Sequence, residues 1–138
     1  GFDSCHIQCF GYVTNMDSEH LSVVFDQKFY LNNQSMPGLS AINIDVETGT
    51  ILKKEQQLNY STRLAERFRK QCQKQNGLEL SENEWPTEML RKLLSSDGGI
   101  FFYTPVVLEI GFKYNGVNNQ FGWMTATIKD YEEYLKKM

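Results

Sequence analysis

The first residues with the types and spacing for chemistry are Cys5-His6-Ile7-Gln8-Cys9. Two thiols and an imidazole can hold zinc, and structural zinc sites commonly carry two cysteines this close, completed to four ligands. The chain has no second cysteine pair, its third thiol being Cys72. On an extended strand side chains alternate, so His6 faces away from Cys5 and Cys9. The expectation is ordinary strand residues, with no metal and no cofactor. On such a strand the two thiols lie about 13 Å apart at about 3.3 Å per residue. A disulfide spans Cα atoms within about 7 Å. Either thiol could still meet Cys72, and the odd count leaves one over.

His6 and His20 are the only histidines. A nucleophile needs a base beside it, and neither histidine has an activated serine or cysteine placed next to it by any motif. A Gly-x-Ser-x-Gly elbow is absent from the sequence. The reading is non-catalytic. Asp45-x-Glu47 puts two carboxylates on one strand face, but a calcium loop needs a glutamate at its twelfth position. Position 56 is Gln, so a solvated strand end is expected. The last grouping is Asn118-Asn119-Gln120-Phe121-Gly122-Trp123. Amides beside aromatic rings suit sugar or protein contacts. The candidate ligand-binding residues are therefore Tyr114, Asn118, Asn119, Phe121 and Trp123. The simpler reading is that Phe121 and Trp123 cap the core from a hairpin end.

The elements that position these residues follow from periodicity. Ser4–Thr14 and Leu21–Tyr30 read as a long antiparallel hairpin, with Leu21, Val23, Phe25 and Phe29 on one face. Asn32–Gly38 reads as a loop around Pro37-Gly38. Ala41–Val46 alternates as a third strand and ends at Gly49. Tyr60, Leu64, Phe68 and Cys72 then recur every four residues, predicting an amphipathic helix capped by Ser61 and stopped at Asn76-Gly77. A shorter helix follows Trp85-Pro86, with Met89, Leu90, Leu93 and Leu94 apolar. Ile100–Thr104, Val106–Tyr114 and Trp123–Ile128 read as strands, the last two joined by an Asn115-Gly116 turn. A terminal helix is predicted over Lys129–Lys137. The fold class is α+β: a mostly antiparallel sheet with helices packed on one face.

The 138 residues fit one domain, 1–138. Hydrophobic residues make up 41%, which opposes disorder. Fourteen basic and 17 acidic residues leave a net charge of -3 without a basic stripe, so nucleic acid is not an expected partner. Apolar runs fall short of the roughly 20 residues of a membrane helix.

Three stretches resemble a bacterial envelope domain of unknown activity. It is shared by lysozyme-sensing anti-sigma-V factors of the RsiV type and the non-catalytic part of PdaC-type peptidoglycan deacetylases. Leu21-Ser22-Val23-Val24 with the run to Tyr30 looks like that family's hairpin strand. Ala41–Gly49 resembles its strand ending in an Asp-x-x-Thr-Gly turn. Phe102-Tyr103-Thr104-Pro105, Leu108–Tyr114 and Ala126–Leu135 resemble its C-terminal segment. Two loops depart from the pattern. Asn33–Gly38 stands where the family often has Gly-Gly-Ala-His-Pro, and an Asn-rich stretch stands between Tyr114 and Gly122. Part of the family's N-terminal half also has no counterpart. The resemblance implies an extracytoplasmic, envelope-associated place, as a lipoprotein or the outer part of an anchored protein. It implies a binding or sensing module whose partner is a glycan or an envelope protein. The alternative is a structural or self-associating domain of a larger envelope protein.

Overall fold

The computed structural model describes residues 5–32, 34–115 and 121–136. The first half is three long strands, β1 (Cys5–Met16), β2 (His20–Leu31) and β3 (Gln34–Asp45), forming an antiparallel meander. Alternating β-branched and aromatic residues suit this pleated surface. Asp17 shapes the first turn. Its carboxylate accepts from the backbone N–H groups of His20 (2.7 Å) and Glu19 (2.8 Å), which lower its pKa.

The loop expected over Asn32–Gly38 is mostly strand, because β3 starts at Gln34 and pairs Pro37 with Lys28. The reason is which way Pro37 faces. The Asn43 carbonyl accepts from Leu52 N–H at 2.7 Å, and Asp45 N–H donates to the Thr50 carbonyl at 2.9 Å, both away from β2. Backbone groups alternate along a strand, so Pro37 also faces outward, where its missing N–H breaks no ladder bond.

A helical turn absent from the sequence reading, α1 (Lys54–Gln57), leads to α2 (Thr62–Asn76) and α3 (Thr87–Ser95). The caps of α2 are as expected: Ser61 accepts from Leu64 N–H at 3.1 Å, and Gly77 takes the left-handed conformation (φ 65°) that favours glycine. Three further strands follow, β4 (Gly99–Thr104), β5 (Val107–Asn115) and β6 (Phe121–Ile128), as a second antiparallel meander. The expected terminal helix is instead a short 3-10 turn, Tyr131–Tyr134. Tertiary pairing outcompetes it. Leu135 bridges to Leu58, and Lys136 N–H donates to the Gln57 carbonyl at 2.8 Å, which holds the end of the chain extended.

The fold is α+β and mostly sheet, but it is two three-stranded sheets rather than one. The helices cover one face of the second sheet. Leu64, Phe68, Cys72, Leu90 and Leu94 meet Phe101, Leu108, Ile110, Phe112, Met124 and Ile128 there. The sheets meet where the first sheet closes the open edge of β4. Thr14 donates to the Tyr103 carbonyl (2.7 Å), Asn43 donates to the Phe101 carbonyl (2.9 Å), and Ser22 accepts from Tyr103 N–H (3.0 Å). The edge of β6 is closed by α2. Gln75 accepts from Thr127 N–H (2.8 Å) and donates to its carbonyl (3.1 Å), while Asn76 donates to the Thr125 carbonyl (2.8 Å). An uncapped edge would be a template for pairing with another chain.

Candidate functional site: a groove between the two sheets

Because the sheets meet mainly along β4, a groove of about 320 Å³ opens beside that junction. One wall is β3 through Leu39, Ala41 and Asn43. The other includes Gly99, Ile100 and Trp123, and Leu52, Lys53, Lys54, Glu55 and Asp97 are among the residues that line the rest. Lys53, Glu55 and Asp97 are exposed and Lys54 half-buried, so the rim carries both signs of charge over a partly apolar floor. This mix of apolar surface and a few convergent polar groups is typical of binding clefts.

Two sets of polar groups in the groove are unsatisfied. By the alternation that turns Asn43 and Asp45 outward, Leu39 and Ala41 present their N–H and C=O groups to the outer edge of β3. These have no partner among the described residues. The indole Nε1 of Trp123 is buried and likewise lacks a partner among them. A buried donor left unpaired costs about 1–3 kcal/mol, so the Trp123 indole favours a ligand acceptor, while the half-exposed edge of β3 offers both donors and acceptors.

The candidate binding residues do not converge on one patch. Cross-strand partners share a sheet face, and Lys113 pairs with Trp123 whereas Tyr114 pairs with Gly122. Trp123 and Tyr114 therefore lie on opposite faces. Trp123 lines the groove, while Tyr114 packs on the helix side with its ring centroid 6.4 Å from Trp85 and 6.5 Å from Phe112. Phe121 contributes backbone to β6, its side chain lying outside the described residues, as do Asn118, Asn119 and the Gly116 turn. The groove residues missed by sequence reasoning, Lys53, Lys54, Glu55 and Asp97, sit at the single turn of α1 and in the connection after α3, both too short to show a periodicity. The compact charged run Lys53-Lys54-Glu55 marked the first three, and nothing marked Asp97 as a site residue.

The remaining candidates lie apart from the groove. His6 stacks on Tyr30 at 4.5 Å, and His20 on Tyr103 at 3.9 Å and 3°. Asp45 accepts from Glu47 and Thr48 N–H groups, which builds its turn. Cys5 and Cys9 are exposed free thiols and Cys72 is a buried one, its pKa pushed up to about 11 by burial. Arg69, read as neither core nor site, is buried. It donates to the carbonyls of Leu80 and Trp85 and to Glu82 and Thr87, pinning the connection between α2 and α3.

No family model matches the chain, and no curated protein matches it. Among solved structures, a DUF3298 family protein from Pseudomonas aeruginosa PAO1 has a similar fold, with a TM-score of 0.53 at 14% identity. The match covers 96% of this chain and 62% of that one. That likeness concerns the fold alone. Among the described residues no helix is long and apolar enough to cross a membrane.

Proposed function

We propose that the chain is a non-catalytic, extracytoplasmic binding or sensing module of the bacterial envelope, and that the inter-sheet groove takes an extended segment of an envelope protein. The observation that carries this reading is the unpaired outer edge of β3 at Leu39 and Ala41, running along the groove. An added strand would satisfy those backbone groups while its alternate side chains reach the groove floor. The mixed-charge rim would set register. The envelope location rests on the resemblance to the RsiV- and PdaC-type domain, and the DUF3298-like fold is compatible with it. The stacked histidines support the non-catalytic reading, since neither lines this groove.

A glycan is the second reading. Trp123 favours it, because an indole offers a flat apolar ring beside a hydrogen-bond donor. An array of extracytoplasmic peptides, run beside soluble peptidoglycan fragments, separates the two. Ala41→Pro removes one outward N–H without breaking the β2–β3 ladder and should abolish peptide capture while sparing glycan capture. Trp123→Ala should weaken either by roughly tenfold, equivalent to about 1.4 kcal/mol. Peptide binding that survives both substitutions would remove the groove from the account.

A further inference from the structure

The first sheet has a second face, turned away from the groove and from β4. The register assigns it the odd-numbered side chains of β2 with their partners on β1 and β3. Ile7, Val13, Phe29, Leu31, Met36 and Ile42 on this face are between 36% and 58% exposed. None of its residues is Asp, Glu, Lys, Arg or His, although 22% of the chain is Asp, Glu, Lys or Arg. The opposite face of the same strands carries His6, His20, Asp26, Lys28 and Asp45. Depletion of charge marks the buried core of protein interfaces more sharply than apolar area does.

The face is also built flat. A Cβ on Gly11 would meet the Phe25 ring at 3.0 Å, and one on Gly38 would meet the Phe29 ring at 2.6 Å. Each phenyl ring thus lies across a neighbouring strand's glycine instead of standing off the sheet. Such aromatic cover over glycines also pins register.

We propose that this face is the contact surface for a second copy of the chain, the two sheets packing face to face about a twofold axis. Three 12-residue strands extend about 40 Å by about 14 Å, or about 550 Å² in projection before side-chain relief is added. A stable interface takes about 800 Å² of accessible surface per partner, so relief on this face brings the two into the same range. Identical twisted sheets can stack at about -30° and about 10 Å. A twofold contact also asks each patch to complement itself. A charge-free face meets that demand, because no like charges are brought together; a charged partner would find nothing here to pair with. This surface is distinct from the groove, whose β3 wall is mainly Leu39, Ala41 and Asn43 on the other side of the sheet; the two share only Ser40 at the edge of β3.

Analytical ultracentrifugation of the 138-residue chain from micromolar to several hundred micromolar tests the proposal. The expected result is a concentration-dependent dimer. Phe29→Lys with Met36→Lys should return it to monomer, and Gln8→Lys on the opposite face should leave it dimeric. Should the double variant unfold by circular dichroism, Ile7→Lys at the edge strand gives the same readout with less disturbance. A wild-type chain that stays monomeric throughout the range, including one that instead co-floats with neutral phosphatidylcholine vesicles, overturns the proposal. So does a dimer indifferent to all three face substitutions, since another surface would then hold it.

Discussion

At the scale of single residues, Arg69 shows how a buried charge is held by hydrogen bonds. Arg69 holds the α2–α3 connection through carbonyls that have no other described partner. Replacing it with Leu leaves them unpaired, and a loss of about 2–4 kcal/mol is expected, measurable by urea unfolding. Cys72 and Tyr103 show the cost of burial in their titration. Burial raises the thiol from 9.0 to about 11 and, as the largest cause, the phenol from 10.0 to about 12. The unfolded chain therefore gives up these protons first as pH rises. Stability is full below pH 9 and falls between pH 9 and about 12. Thermal melts across that window should show the decline, and Cys72→Ala should flatten its lower part, between pH 9 and about 11.

At the scale of elements, each outer sheet edge of the second meander is closed by side chains rather than by another strand. The junction at β4 is buried: Ser22 accepts from Tyr103 N–H and donates to Asn43 Oδ1 at 2.5 Å. Ser22→Ala orphans both groups and should destabilise by about 2 kcal/mol. The β6 closure is exposed to water, so Gln75→Ala should cost only about 1 kcal/mol. Its larger effect is expected in aggregation on heating, read by light scattering, because the freed edge can pair with another chain. Much of this level was legible in the sequence. Ser61, Gly77 and the four-residue apolar period announce α2 because caps and periodicity are local. Pro37 misled because its direction relative to the sheet edge, which decides whether it is tolerated, is set by a neighbouring strand. The terminal segment misled for a similar reason, its backbone being engaged by residues 57–59.

At the scale of the molecule, stability is unevenly distributed. The second sheet lies under helices, whereas the far halves of β1, β2 and β3 are exposed on both faces. Hydrogen exchange should therefore be slowest in β4, β5 and β6 and fastest toward Cys5, Leu31 and Gln34. If the charge-free face is a dimer contact, protection there should rise with concentration while the helix-covered core stays unchanged. Of the candidate site, the sequence singled out Trp123 by its chemistry but grouped it with Tyr114, nine positions away across a turn. Sheet parity separates them, and parity depends on the register of β5 against β6. What the sequence determined by itself was local: the strand and helix periods, the caps, the α+β class and the alternation that turns His6 away from Cys5 and Cys9. Tertiary structure alone decided that the strands form two sheets, that β3 keeps an open edge along a groove, and that one long face carries no charge. Those outcomes depend on which strand lies beside which, and hydrogen bonds between residues more than 50 positions apart, such as Asn43 to Phe101 and Tyr103 to Ser22, make that choice.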